Sequence, residues 1–429
     1  MKAADPRGRE RLWRAVALGF ALLALALALL AAWALEQGFG VDPVAIRGAG
    51  REAALAPPPP RLDLAPAGFD ALPDWPGDRP GAALAAFLRT CDGLAAGRSG
   101  GALGRALAGA PAALGALCAA ARALPPGDDG AARAFFESSF TPYSAADRSA
   151  TEGLLTGYYE PELAGRRRRK APFVHPLYRD PGGRQVVDLG EFKADLAGRK
   201  ITGFLRGGRF RPFYDRAEIE AGALARRGLE LAWVADPVAL FFLQIQGSGR
   251  IRFDDGQLLR VGYSGQNGHD YTAIGKVLIE RGELEREAVS LQTIRAWLAA
   301  HPAEAAGLMN RNRSYVFFRV LAGAPEGAAG AELTPERSLA VDPAFWPYGA
   351  PLWIASERPA APELGTPATP LTALVVAQDT GGAIRGPLRG DLFLGPGAAA
   401  EAVAGRMKQP LRLWLLWPRA LGAPPRPAS

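Results

Sequence analysis

The stretch from Leu371 to Gly397, LTALVVAQDTGGAIRGPLRGDLFLGPG, limits what this chain can fold into more than any other. An apolar run ends on Asp379, glycines follow, and a second carboxylate, Asp391, arrives beside Leu392 and Phe393. The run predicts a buried strand, Gly381-Gly382 a tight turn with φ > 0, and Asp391 to Gly395 a second short strand. Two carboxylates fixed at strand ends by glycine-rich backbone suit acid/base chemistry. The same spacing also fits a structural role, with Asp379 capping the turn and Asp391 solvated. A third carboxylate, Asp342, lies upstream in LAVDP, ahead of Phe345-Trp346-Pro347-Tyr348-Gly349.

The rest of the chain narrows the class. At 429 residues it can bury at least two cores. The net charge of +7 favours an anionic surface: nucleic acid, anionic lipid or anionic wall polymer. No helix-turn-helix, zinc or aromatic RNA-binding signature supports nucleic acid. Two cysteines and three histidines, His175, His269 and His301, are too few and too scattered for a metal cluster, and no cofactor motif is present. Cys91 and Cys118 pair if the domain is exported, or remain two buried thiols.

Read in order, a basic N-terminus with Lys2, Arg7, Arg9, Arg11 and Arg14 precedes Ala15 to Leu35, which holds no charge or proline. That run can span a hydrocarbon core of about 30 Å and predicts an inner-membrane anchor, the body being exported. A cleaved signal peptide is the alternative. Residues 37–80 read as a proline-rich tether. Ala82 to Leu124 read as two or three packing helices broken near Gly100-Gly101 and Pro111. Leu154 to Pro161 reads as a strand whose Tyr158 and Tyr159 suit a sugar face. Arg166 to Lys170, RRRRK, reads as a solvated loop, with contact to anionic polymer or lipid as the other reading. In Ala239 to Arg250, Gln244 and Gln246 alternate with Leu243 and Ile245, predicting a strand with both amides on one face. Gly247, Ser248 and Gly249 then allow close approach of a ligand. Helices are expected at Gly268 to Arg281, Leu291 to His301 and Ala398 to Met407, with His269 and Asp270 structural. Strands are expected at Ser314 to Val320, Leu352 to Ile354 and Arg412 to Trp417, the first returning the chain to the aspartates. The last nine residues, from Leu421, read as a loose tail.

Taken together, LAVDP…WPYGAPLWI, AQDTGGAIRG and RGDLFLG resemble the three-aspartate domain of the membrane-bound lytic transglycosylase A family. TGYYEPEL, FFLQIQGSGRI, VGYSGQNGHDYTAIGKVLI and RSYVFFR extend the resemblance over Thr151 to Trp417. Better-known members carry a lipid on an N-terminal cysteine; this chain has no cysteine before Cys91. The resemblance implies a β-rich α+β protein. It further implies a double-psi β-barrel assembled from residues 81–159 and 320–420, with an inserted second β-barrel domain at residues 160–319 and N-terminal helices. It implies cleavage of the MurNAc–GlcNAc β-1,4 bond of peptidoglycan with formation of a 1,6-anhydro ring, in the periplasm, for wall turnover.

One carboxylic acid suffices for that reaction. The resemblance assigns it to Asp391, which must be held protonated near neutral pH by burial or by a like charge. It makes Asp379 the neighbouring charge and Asp342 a member that fixes loops. It places Thr156, Gly157, Tyr158, Tyr159, Gln244, Gln246, Gly247 and Ser248 along the glycan. It implies peptidoglycan strands and the inner membrane as partners, and leaves open wall-synthesis or division complexes. Two rival readings stand beside it. An aspartic peptidase is suggested by Asp379-Thr380-Gly381 but needs a second equivalent motif. A tethered wall-binding module without catalysis would use the same barrel.

Overall fold

The computed structural model describes residues 59–95 and 111–424. The charge-free run Ala15 to Leu35, the first half of the expected tether, the break at Gly100-Gly101 and residues 425–429 lie outside them. No helix among the described residues is long and apolar enough to cross a membrane.

The chain does not run as a tether up to residue 80. Leu62–Pro66 forms β1, antiparallel to β2 (Phe140–Asp147), and Leu72 and Trp75 are buried. Each proline here stands where its missing N–H costs little: Pro66 ends a strand, Pro76 lies in a one-turn 3-10 helix, and Pro80 opens α1 (Pro80–Ala95). Counting prolines therefore hid a short alternating segment, Leu62-Asp63-Leu64. Helices α2 (Pro111–Arg122) and α3 (Asp129–Ser139) complete this layer. Asp128 caps α3 through Ala131 N at 2.9 Å. Cys91 and Cys118 form a disulfide between α1 and α2. Phe87, Phe135, Phe136 and Phe140 pack edge-on or tilted beneath them, with centroids 5.2–6.3 Å apart.

After β3 (Gly153–Glu160) the chain leaves for a second body. Its strands are β4 (Glu162–Arg166), β5 (His175–Tyr178), β6 (Gln185–Asp188), β7 (Lys200–Arg206), β8 (Arg209–Pro212), β9 (Glu230–Val234), β10 (Ser248–Phe253), β11 (Leu258–Gln266) and β12 (Val316–Leu321). Six of them form a sheet in the order β12-β11-β10-β4-β9-β5, and a bridge from Arg179 to Phe318 links its two edges. Leu163, Leu177, Val234, Leu243, Ile251, Val261 and Phe318 fill it. Strands β6, β7 and β8 make a separate small sheet.

Four longer helices pack here, beside a short turn of helix at Arg216–Glu218: α4 (Pro237–Gln246), α5 (Ile274–Glu280), α6 (Leu291–Ala300) and α7 (Pro302–Met309). Helix α4 corrects the strand expected at Gln244 and Gln246. Asp236 caps it by accepting from Val238 N and Ala239 N, Pro237 fills its first position, and Gly247 ends it at φ 76°. The segment is apolar on nearly every side, so periodicity alone cannot separate helix from buried strand. Helix α5 starts at Ile274, six residues later than expected, because residues 267–273 are held in irregular backbone by Asn267 and Asn312. Strand β12 pairs with β11 in this second sheet, not with the strands that carry the aspartates.

The chain then returns with β13 (Ser338–Val341), β14 (Pro351–Arg358), β15 (Thr369–Asp379), β16 (Arg389–Pro396), helix α8 (Ala398–Ala404) and β17 (Lys408–Pro418). The order β17-β14-β15-β13-β16-β3 closes through a β17–β3 pairing into a six-stranded barrel, and β2 and β1 extend it beyond β17. Leu155, Leu339, Val341, Leu352, Val375, Leu392 and Leu413 fill the barrel. Trp353, Leu374, Val376 and Trp414 face outward under the N-terminal helices. The protein is thus β-rich α+β, with two barrel-like bodies and a helical cap.

Candidate active site

Strand alternation puts one set of side chains inside the barrel and the next set outside. Leu339, Val341 and Leu392 point in; Ala340, Asp391 and Phe393 point out, with Thr156 and Tyr158 of β3 beside them. Thr156 and Asp391 are register partners, and so are Tyr158 and Phe393. Tyr158, Leu333, Ala340 and Phe393 form a small apolar cluster of their own, the two rings 5.2 Å apart.

Asp379 reaches this face through an irregularity. Ser338 pairs with Val376 and Leu339 with Ala377, but Ala340 pairs with Asp379, so one residue of β15 is skipped. A bulge of this kind re-aims the side chain that follows it. Without it Gln378 would stand opposite Ala340. Gln378 instead turns into the helical cap, giving Nε2 to Ala86 O at 2.8 Å and Thr90 Oγ1 at 2.9 Å, while its Oε1 accepts from Ser338 Oγ. Ala340, small and buried, lies between Asp379 and Asp391 and is register partner to both.

The three carboxylates have different partners. Asp391 accepts from Thr156 Oγ1 at 2.6 Å, and Thr156 in turn accepts from Arg389 Nη2 at 2.8 Å. Loss of water contact pushes the Asp391 carboxyl up to about 6; the Thr156 hydroxyl and Arg389 charge act against that rise, and Asp379 adds to it. Asp379 accepts from Tyr158 Oη at 2.8 Å and Ala328 N at 2.9 Å. Its pKa is also raised by desolvation, against those hydrogen bonds. Burial and the nearby carboxylate hold the Tyr158 phenol neutral. Asp342 is buried and accepts from Ala344 N at 3.1 Å and Gly386 N at 2.8 Å. It clamps the loop that joins β15 to β16. That loop turns through Gly386 at φ 100°, and the expected left-handed Gly381-Gly382 pair is not found.

The other expected site residues divide. Gly157 faces away: a Cβ there would stand 2.9 Å from Met407 Sδ and 3.2 Å from Ala404 Cα, so it is glycine to let α8 pack. Tyr159 is fully buried against α8 and α6, with Arg295 Nη2 3.5 Å from its hydroxyl. Gln246 Oε1 accepts from Tyr159 N at 3.2 Å, which ties the end of α4 to β3. Gln244 and Ser248 are buried in the second body. Gly247 is the helix cap, and Gly249 packs where a Cβ would meet Leu243 Cδ1 at 2.2 Å and Pro161 O at 2.8 Å. Each glycine thus has a structural reason of its own. Thr156, Tyr158, Asp379 and Asp391 therefore share one face, and Asp342 supports it from the adjoining loop. Arg389 and the backbone N–H of Ala328 were missed. Arg389 stood legible in RGD, two residues from Asp391 on one strand face. Ala328 carries no side-chain signal.

Histidine, cysteine, aspartate and glutamate form no metal-ligating group among the described residues.

Two family models match segments of the chain. Residues 154–319 match the MltA specific insert domain, and residues 337–417 match the 3D domain. The chain is 36% identical over 267 residues to the membrane-bound lytic murein transglycosylase A of Vibrio cholerae, covering 61% of this chain and 65% of that protein. A crystal structure of membrane-bound lytic murein transglycosylase from Agrobacterium tumefaciens is 33% identical, with a TM-score of 0.73 over 83% of this chain and 98% of that one. The structure of Escherichia coli MltA with bound chitohexaose is 29% identical, with a TM-score of 0.59 over 83% and 91%. The chain belongs to the membrane-bound lytic murein transglycosylase A family.

Proposed function

We propose that the chain is a lytic transglycosylase that cleaves the MurNAc–GlcNAc β-1,4 bond of peptidoglycan during wall turnover. The observation that carries this is Asp391: a carboxyl raised to about 6 by desolvation, on a face shared with Asp379 and Tyr158. A group with that pKa is protonated often enough near neutral pH to act as an acid and basic enough afterwards to take a proton back. In the reaction its proton goes to the glycosidic oxygen as the C1–O bond breaks, and the GlcNAc hydroxyl leaves. The C6 hydroxyl of MurNAc then bonds to C1 and gives its proton to the Asp391 carboxylate. Atoms and charge balance without water, and the product ends in a 1,6-anhydro ring. Asp379, held by Tyr158 and Ala328, tunes Asp391 and faces the positive charge that develops at C1. Thr156 and Tyr158 line the glycan's path. A relative solved with bound chitohexaose supports a glycan as the ligand.

Relatives named as membrane-bound support a surface-attached enzyme. The same proposal places Ala15 to Leu35 in the inner membrane and the body in the periplasm. Recovery of a soluble species beginning after Ala34 would remove the anchor from it.

The deciding experiment digests purified sacculi and weighs the products. The expected fragments carry anhydro ends, one water lighter than hydrolysis products, and Asp391→Asn lowers the rate by about 10²- to 10⁴-fold or more. Reducing ends would instead make Asp379 the base for an attacking water.

A further inference from the structure

Strand β15 alternates strictly up to its bulge. Val375 and Ala377 lie among the residues that fill the barrel, and Leu374 and Val376 lie under the N-terminal helices. Gln378 continues that alternation outward, so by the same rule Asp379 would point into the barrel. A carboxylate among apolar side chains is costly to bury. The bulge avoids this by leaving one residue, Gln378, without a partner on β13, and Asp379 emerges opposite Ala340 on the outer face.

The N-terminal cap fixes that extra residue. Gln378 is fully buried, and both donors of its amide are engaged on α1, by Ala86 O at 2.8 Å and Thr90 Oγ1 at 2.9 Å. Its Oε1 accepts from Ser338 Oγ, which itself accepts from Thr334 N at 2.7 Å. An amide held on both sides in this way has one orientation. The backbone of Gln378 is tied as well. Its carbonyl accepts from Ala329 N at 2.9 Å, while the preceding amide, Ala328 N, reaches Asp379 Oδ1. The loop that supplies those two N–H groups is pressed between the bulge and α1. A Cβ at Gly327 would stand 2.3 Å from Gln378 O, one at Gly93 of α1 would stand 3.4 Å from Gly330 O, and Arg89 of α1 pairs with Glu332 at 2.8 Å.

We propose that Gln378 is a positioning residue for Asp379: its amide, fixed on α1 through Ala86 and Thr90, holds the bulge so that the Asp379 carboxyl stands beside Tyr158 and Asp391. The helical cap thereby becomes part of the site's support. The proposal rests on the lytic reading for the part that Asp379 plays in the reaction, but the positioning itself does not. A buried amide that merely joined cap to barrel would matter for stability alone. The titratable and charged groups around the two carboxyls are Tyr158, Tyr348 and Arg389, with Asp342 and Arg385 near Tyr348. Substitutions at Gln378 and Thr90 alter none of them.

The test titrates isotope-labelled aspartate carboxyl carbons by NMR in the full chain, the Asp391 signal being the one that Asp391→Asn removes. In the unaltered chain that carboxyl titrates at about 6. Gln378→Met keeps the length of the side chain and removes the amide. Asp391 should then titrate at lower pH, as in Asp379→Asn, because the like charge has moved away. On glycan strands kcat should fall by about 10²-fold, the scale of a misplacement on the order of 1 Å, with KM little changed. Gln378→Met combined with Asp379→Asn should behave as Asp379→Asn alone in both readouts. Thr90→Val removes one acceptor at the far end of the network and carries the test if Gln378→Met does not fold. It should shift the titration the same way by less, and Thr90→Ser should restore it. An Asp391 titration unmoved by the variants that fold, or a double variant that falls below Asp379→Asn, overturns the proposal. Titrations that follow the expected pattern in a chain releasing no anhydro-ended fragments would leave Gln378 in its role and remove the lytic reading.

Discussion

Asp391 answers to two opposed demands: burial resists its charge, while Thr156 and Arg389 favour it. Activity that needs the protonated acid should fall as pH rises through about 6. Thr156→Val or Arg389→Gln removes a group that favours the carboxylate, so that limb should move to higher pH. Asp379→Asn removes a like charge and should move it to lower pH. A profile of kcat/KM on soluble glycan strands reads both signs, and a limb unmoved by all three variants would detach it from Asp391. Stability follows the same pKa. A carboxyl raised from 3.8 costs folding free energy once it ionises, so the protein loses stability between about pH 4 and 6. Asp391→Asn should therefore stabilise the fold by about 1–3 kcal/mol above pH 6 and leave it unchanged below pH 4. Thermal melts at both pH values check that difference, which a simple packing defect would not reproduce.

At the scale of elements, the strands carrying Asp379 and Asp391 were the legible ones. The apolar runs before Asp379 and beside Asp391 have the length and punctuation of strands, and β15 and β16 lie where they predict. What stayed hidden was the bulge between β13 and β15, because a skipped residue leaves no compositional trace. Strict alternation would put Gln378, not Asp379, opposite Ala340. The helix at Pro237–Gln246 was hidden for another reason: its cap, Asp236-Pro237, was readable, but its apolar interior supports either period. That error put Gln244 and Gln246 on one strand face, whereas Gln244 is buried in the second body and Gln246 bonds Tyr159 N at the end of a helix. The resemblance placed Gly157 along the glycan, whereas its contact with α8 in space explains the missing side chain. Gly157→Ala should overpack that contact and cost about 1–3 kcal/mol, with KM for glycan unchanged. A raised KM at normal stability would restore it to the groove.

Across the whole molecule, the two barrels meet where β3 runs into β4, so the strand that carries Thr156 and Tyr158 is also the connection between them. Among the contacts at that junction are Gln246 on Tyr159 N, Arg295 with Glu401 between α6 and α8, and Arg250 with Glu160. The last is the most consequential. Glu160 is fully buried, Arg250 Nε lies 2.6 Å from its Oε2, and Oε1 has no other partner. Removing one member of such a pair strands a charge, while replacing both with apolar groups can be close to neutral. Arg250→Ala should thus cost about 3–5 kcal/mol, and Glu160→Leu combined with Arg250→Leu much less. If the pair also sets how the second body is held against β3, the double variant should regain stability yet keep a raised KM, with the pH limb of Asp391 in place. Chemical denaturation and glycan kinetics on the two variants separate these effects. A double variant as unstable as Arg250→Ala would mean that the ion pair itself holds the junction.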